Sequence, residues 1–224
     1  MITSEQLDYV KTVLTFWNHL TPPERALLKQ SMVSVNYKQG DVIHRGDSDC
    51  IGVLVVKSGG LRTYMLSEEG KEITLFRPRQ GDVCVLSASC IMRNITFDVH
   101  IEADEDSEVI ILNSSDFQQV CNENIYAENF SYKVTTDRFS DVMWAMEQIL
   151  FMSFDKRLAI FLLDESAKNG SDFITLTHEQ IAKYTGSARE VVSRMLKYFV
   201  NEGLVEVSRK GVKLLDKKKL RALL

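Results

Sequence analysis

Between residues 33 and 113 the chain repeats one unit, a short β-rich run followed by a glycine-containing turn. VSVNY leads to Gly40-Asp41, VIH to Gly46-Asp47, IGVLVV to Ser58-Gly59-Gly60, LRTYML to Glu69-Gly70, and EITLF to Gly81-Asp82. FDVHIEA and SEVIILN close the block. Strand–turn spacing this regular predicts a small antiparallel sandwich or barrel. The segment before it, near residues 5–31, reads as short helices, with Thr21 ahead of Pro22 and Pro23 as a helix start.

Residues near 115–152 turn helical. Phe139, Val142, Met146 and Ile149 recur at intervals of 3, 4 and 3, a heptad-like stripe, and Met143 and Leu150 lie beside it. So much apolar surface on one helix exceeds what a single β-roll can cover. Pairing with a second copy of the same helix, in a homodimer, accounts for it better than packing on its own domain alone. Trp144 and Met143 read as core or dimer contacts. From Asp155 the pattern changes again, to an amphipathic helix, DKRLAIFLLDESAKNG, stopped at Gly170. The expected fold is α+β. It has an N-terminal antiparallel β-roll of jelly-roll type over residues 1–124, a long dimerisation helix over 125–153 and a smaller domain over 154–224.

Composition fits such a chain: 224 residues, 45% hydrophobic and 26% charged, allow one large domain or two small ones. With 3 prolines and 11 glycines, long disordered segments are not expected. No apolar run is long enough to span a membrane, and the first residues lack the basic and apolar regions of a secretory signal. Cys50, Cys84, Cys90 and Cys121 form no C-x-x-C pair, so a cytoplasmic setting is expected.

The formal net charge of −4 hides a split: from Phe154 onward there are 14 Lys and Arg against 9 Asp and Glu. A basic end on an acidic protein points to a local anionic partner. Within that end, Thr177 with Gln180 fits a capping box, and Ile181 and Ala182 supply a buried face. Gly186 allows a sharp turn, and Ser187 with Glu190 fits a second capping box. Val191, Val192, Met195, Leu196 and Phe199 then line one side of a longer helix ending at Gly203. Two helices around a tight glycine turn make a helix-turn-helix. LVEVS and VKLL around Arg209-Lys210-Gly211 make a wing with a basic tip.

Arg189, Glu190, Ser193 and Arg194 fall on one side of the first two turns of the second helix, with Lys197 beyond them. Arginine reads guanine O6 and N7, glutamate accepts from cytosine N4, and serine reaches a base or a phosphate. Arg189, Glu190, Ser193 and Arg194 are therefore the candidate base readers in double-stranded DNA. Ser187, Lys197, Arg209 and Lys210 are candidates for its backbone. A catalytic role is not expected: no paired carboxylates, nucleophile–base set or metal-ligand spacing stands out.

At these residues the chain resembles the Crp/Fnr family of bacterial transcription regulators, most specifically in IAKYTGSAREVVSRMLKYFVNEGLVE. Glu190-Val191-Val192-Ser193-Arg194 is similar to the E-x-x-S-R pattern of the oxygen-responsive branch, and the preceding Arg189 to the cyclic-AMP branch. The resemblance implies a homodimer reading an inverted repeat with TTGA-like half-sites, RNA polymerase as a partner, and a small-molecule effector bound by the β-roll. Cyclic-nucleotide members carry a glutamate for the ribose and an Arg-Ser or Arg-Thr pair for the phosphate. Counting from Gly81, Leu86 takes the place of the glutamate and Thr96-Phe97 that of the pair. Arg93, as a substitute for the pair's arginine, lies three residues early. Leu86, Ser87, Thr96, Phe97, Val142 and Met143 are thus the candidate effector pocket, and cyclic AMP is not the expected ligand. The cysteine cluster that holds an iron–sulfur centre in the oxygen-sensing branch has no counterpart before Cys50.

The effector stays unidentified, and so does any cofactor. One alternative is an effector-independent regulator whose β-roll is only a scaffold. Another is a haem or redox sensor, using His44 or His100 as a haem ligand or Cys84 and Cys90 as a thiol pair; buried small hydrophobes account for the cysteines more simply, and packed or surface residues for the histidines.

Overall fold

A computed structural model of the protein describes residues 2–46, 50–85 and 98–224. Two compact units separate, one of residues 1–66 and 75–142, the other of residues 67–74 and 143–224.

The first unit opens with α1 (Ser4–Val13), a 3-10 turn (Trp17–His19) and α2 (Pro22–Ser31). Both helices start where local chemistry directs. Thr3 with Gln6 and Thr21 with Glu24 form reciprocal capping boxes, and prolines occupy the first turn of α2. Among the described residues the strands that follow are β1 (Met32–Tyr37), β2 (Val42–His44), β3 (Val53–Ser58), β4 (Leu61–Leu66), β5 (Glu72–Phe76), β6 (Val83–Cys84), β7 (His100–Ala103) and β8 (Ser107–Leu112). They form two four-stranded sheets, ordered β1-β8-β3-β6 and β2-β7-β4-β5, as the glycine-punctuated runs predict. Then come α3 (Ser114–Glu123) and α4 (Ile125–Phe151). The helical stretch expected near 115–152 is therefore two helices. Asn124 is extended at the junction, and its side-chain oxygen accepts from the Tyr126 N–H at 3.1 Å, which restarts the helix.

The helices cover the outer face of the first sheet. Leu14, Leu28 and Phe117 meet Val53, Val55, Ile110 and Leu112 in one fully buried cluster. The second sheet carries a polar feature without a sequence signal. Arg62 on β4 is fully buried. Its Nη1 donates to Glu102 Oε1 on β7 at 2.9 Å, and its guanidinium lies 4.3 Å from the Tyr64 ring centroid. Breaking a buried pair leaves an uncompensated charge, so Arg62→Ala should destabilise the protein by about 3 kcal/mol or more. Urea unfolding of the two proteins checks this; equal midpoints would contradict it.

The second unit holds the hairpin segment 67–74, the end of α4, α5 (Phe154–Asn169), β9 (Phe173–Ile174), α6 (His178–Thr185), α7 (Arg189–Asn201), β10 (Val205–Ser208), β11 (Gly211–Leu214) and α8 (Lys217–Arg221). Its core joins Leu158 and Leu162 of α5 to Ile181, Val192, Leu196, Phe199 and the strand residues Val205, Val212 and Leu214. The start of β5 touches α6: Thr74 Oγ1 donates to the Lys183 carbonyl at 2.9 Å, and Lys183 Nζ lies 3.7 Å from Glu72.

Candidate nucleic-acid interface

The interface is built on α6, α7 and the wing. Thr177 caps α6 as its spacing predicts, accepting from the Gln180 N–H at 3.1 Å while Gln180 accepts from the Thr177 N–H at 2.9 Å. Ile181 and Ala182 face the core. Gly186 follows at φ 60° and ψ 42°, the left-handed conformation a sharp exit needs. From α5, Arg157 Nη1 donates to the Thr185 carbonyl at 3.0 Å, which ties the end of α6 to the helix behind it.

The expected capping box of Ser187 and Glu190 does not form. Helix α7 is capped at Ala188, without a side-chain hydrogen bond. The cause lies in the turn. The Ser187 N–H bonds back to the Ala182 carbonyl at 3.0 Å, so Ser187 closes α6 and the chain reaches helical geometry only after Ala188. The first N–H groups of α7 are thereby left without a side-chain cap, a configuration suited to an anion.

Along α7, Val192, Leu196 and Phe199 are buried and Val191 and Met195 half-buried, as the apolar spacing predicts. Arg189, Glu190, Arg194 and Lys197 are exposed, while Ser193 is half-buried. Ser193 also has a partner that sequence spacing did not reveal: its Oγ lies 2.8 Å from Nδ1 of His178, the first residue of α6. Burial, and secondarily the nearby Arg189 guanidinium, hold the His178 imidazole below the usual histidine range.

The wing is the antiparallel pair β10–β11, with β9 added at its far edge. Gly211 begins β11 at φ 145°, and a Cβ there would strike the Ile174 carbonyl, so only glycine lets the wing lie this close to β9. Arg209 and Lys210 are exposed at its tip. The tip and the starts of α6 and α7 enclose a cleft of about 370 Å³ whose wall includes Thr177, His178, Arg189, Arg209 and Lys210. Glu179 is the carboxylate on that wall. Three cationic side chains from segments separated in sequence thus converge on one opening.

Leu86, Ser87, Thr96 and Phe97, with Arg93 and Cys90, lie outside the described residues. Val142 is half-buried and Met143 is 45% exposed on α4. Cys84 is fully buried, and burial pushes the Cys121 thiol up to about 12, where it carries no thiolate at neutral pH. His44 is buried, and His100 stacks on Tyr64 with ring centroids 5.3 Å apart. On α4, Phe139 and Met146 are exposed and Val142 and Ile149 half-buried. No described helix is long and apolar enough to cross a membrane.

Comparison with known proteins agrees with this layout. Residues 34–124 match the cyclic nucleotide-binding domain, and residues 156–223 match the Crp-like helix-turn-helix domain. A crystal structure assigned to the Crp/Fnr family of transcriptional regulators, from Eubacterium rectale, is 45% identical. It aligns over 95% of this chain and 98% of its own, with a TM-score of 0.90. The transcriptional regulator Flp of Lacticaseibacillus casei is 28% identical over 210 residues, 91% of this chain and 93% of its own. The transcriptional activator Anr of Pseudomonas aeruginosa is 26% identical over 194 residues, 83% of this chain and 78% of its own. With a β-roll, a long helix and a winged helix-turn-helix in this order, the chain belongs to the Crp/Fnr family of DNA-binding transcription regulators, which are not enzymes.

Proposed function

We propose that the protein acts in the cytoplasm as a homodimer that reads an inverted repeat with TTGA-like half-sites and responds to a small-molecule effector other than cyclic AMP. The observation that carries the DNA-reading part is the convergence of Arg189, Arg209 and Lys210 on one cleft beside the exposed Glu190 and Arg194. In this reading Arg189, Glu190, Ser193 and Arg194 face base edges, and Ser187, Lys197, Arg209 and Lys210 face phosphates. Residues 1–124 form the effector domain, 125–153 the dimer helix and 154–224 the DNA-binding domain, with RNA polymerase as the partner on DNA. Effector binding acts as a population shift: it favours one packing of the paired α4 helices over another. The test is titration of a duplex carrying TTGA and TCAA half-sites about one helical turn apart, centre to centre, against a scrambled duplex of equal length. Two chains per duplex and preference for the repeat support the reading; equal affinity for both duplexes overturns it.

The effector pocket is read from Leu86, Ser87, Thr96 and Phe97 with Val142 and Met143 of α4. Leu86 offers no acceptor to a ribose hydroxyl, and Thr96-Phe97 offers no guanidinium to a cyclic phosphate. The charge-assisted hydrogen bonds that hold such an anion are therefore missing. Calorimetry should find cyclic AMP binding no tighter than about 1 mM, equivalent to about −4 kcal/mol. A micromolar constant would refute this reading of the pocket.

A further inference from the structure

The hydrogen bond between α6 and α7 bears on what Ser193 can present to DNA. A serine hydroxyl has one proton to donate and lone pairs to accept with, and a partner that takes one role leaves the other for the base. His178 Nδ1, at 2.8 Å from Ser193 Oγ, is such a partner. In the neutral imidazole with its proton on Nε2, Nδ1 accepts the Ser193 proton. The oxygen then faces outward as an acceptor, which suits the amino groups of adenine N6 or cytosine N4. In the imidazolium, Nδ1–H donates to Oγ. The Ser193 proton is then free for an acceptor edge: guanine O6 or N7, or thymine O4.

Resting on the reading of Ser193 as a base contact, we propose that His178 is a positioning residue for base recognition: it sets whether Ser193 presents an acceptor or a donor to DNA, and so makes base preference at one pair in each half-site depend on its protonation. The surroundings of the imidazole fit a group that is neutral at rest and chargeable. Arg189 on α7 and Arg209 and Lys210 on the wing tip share its cleft, opposed by the carboxylate of Glu179 on its own helix. With half-burial and the Arg189 charge both acting against protonation, the neutral form prevails at pH 7 and the charged form gains on acidification.

The experiment measures affinities of the full-length protein for operators varied at every half-site pair, at pH 8.0 and pH 5.5 and constant salt. The proteins are the wild type, Ser193→Ala, His178→Phe, which keeps a ring without a hydrogen-bonding atom, and His178→Asn, which restores one near the Nδ1 position. In the wild type, the preference between amino-bearing and acceptor-bearing bases at one pair should change between the two pH values by up to about fivefold, the size of one hydrogen bond. Ser193→Ala and His178→Phe should both abolish that change, at the same pair, and His178→Asn should recover the pH 8.0 preference without the pH response.

A wild-type preference that is flat with pH at every pair overturns the proposal. So does a His178→Phe protein that keeps the wild-type ratios, or one that weakens all operators equally. Should His178→Phe not fold, persistence of the pH response in His178→Asn overturns the proposal and its loss supports it. If Ser193→Ala alters no preference, the base-reading role of Ser193 has failed and the proposal falls with it. If Ser193→Ala alters a preference that His178→Phe leaves intact, only the positioning role has failed.

Discussion

Replacing Phe139 and Met146 together by aspartate should convert the protein to monomers and weaken operator binding at least about a hundredfold. Helix α4 is one run of 27 residues, about 40 Å long. On it Phe139 and Leu150 are each 64% exposed, Met143 45% and Met146 46%. These four residues recur at intervals of 4, 3 and 4, which is the spacing of a coiled-coil seam. Burying a large apolar side chain contributes about 1.5–3 kcal/mol, so four on each of two helices supply a substantial driving force for pairing. Two aspartates would remove half of that and place uncompensated charges where apolar surface must close. A monomer then holds one recognition helix, and the gain from tethering two half-site contacts is lost. Sedimentation velocity decides the first part and operator titration the second. A dimer of unchanged stability would refute pairing through this face.

The apolar period by itself groups Phe139 and Met146 with Val142 and Ile149. The structure separates them, leaving Phe139 and Met146 open and half-burying the other two. Ile149 is engaged within its own chain: a Cβ added at Gly186 would lie 3.7 Å from its Cδ1. Aspartate at Ile149 would therefore disturb the turn of the helix-turn-helix as well as any pairing, and Phe139 with Met146 gives the cleaner test.

Arg194→Ala and Lys210→Ala should both weaken DNA binding, in different ways. Arg194 is exposed on α7 one turn beyond Glu190, where a guanidinium can reach guanine O6 and N7 in the major groove. Its loss should relax preference at one base pair per half-site by about 1–3 kcal/mol, with little change in salt dependence. Lys210 stands at the tip of the wing, in the cleft with Arg189 and Arg209. Its loss should weaken all sequences alike and reduce the slope of log affinity against log salt by about one per phosphate contact removed. Titrations on matched and mismatched operators across a salt series separate the two patterns. If Arg194→Ala behaved as Lys210→Ala is expected to, α7 would not be the base-reading helix.

Local signals in the chain were sufficient for most of the architecture. The capping box at Thr177 and Gln180, the left-handed Gly186 and the glycine-ended β runs each act within a few residues, and each is found where its spacing places it. The Ser187–Glu190 pair shows where such signals stop. Its spacing is that of a cap, yet the Ser187 N–H is committed to Ala182 and the helix starts after Ala188. Two local motifs compete for the same residues there, and the geometry of the turn decides between them.

Sequence alone determined the class of the fold, the order of its elements and the buried face of α7, because periodicity, caps and turns are properties of neighbours along the chain. Tertiary structure alone decided which groups meet across distance. His178 and Ser193 are 15 positions apart and Arg62 and Glu102 are 40, and both pairs form only once helix docking and strand register are set. The same holds for α4: its stripe is legible in its spacing, but which residues stay open depends on what else packs on the helix. The free energy of burying a side chain depends on its neighbours in space, and no period along the chain specifies them.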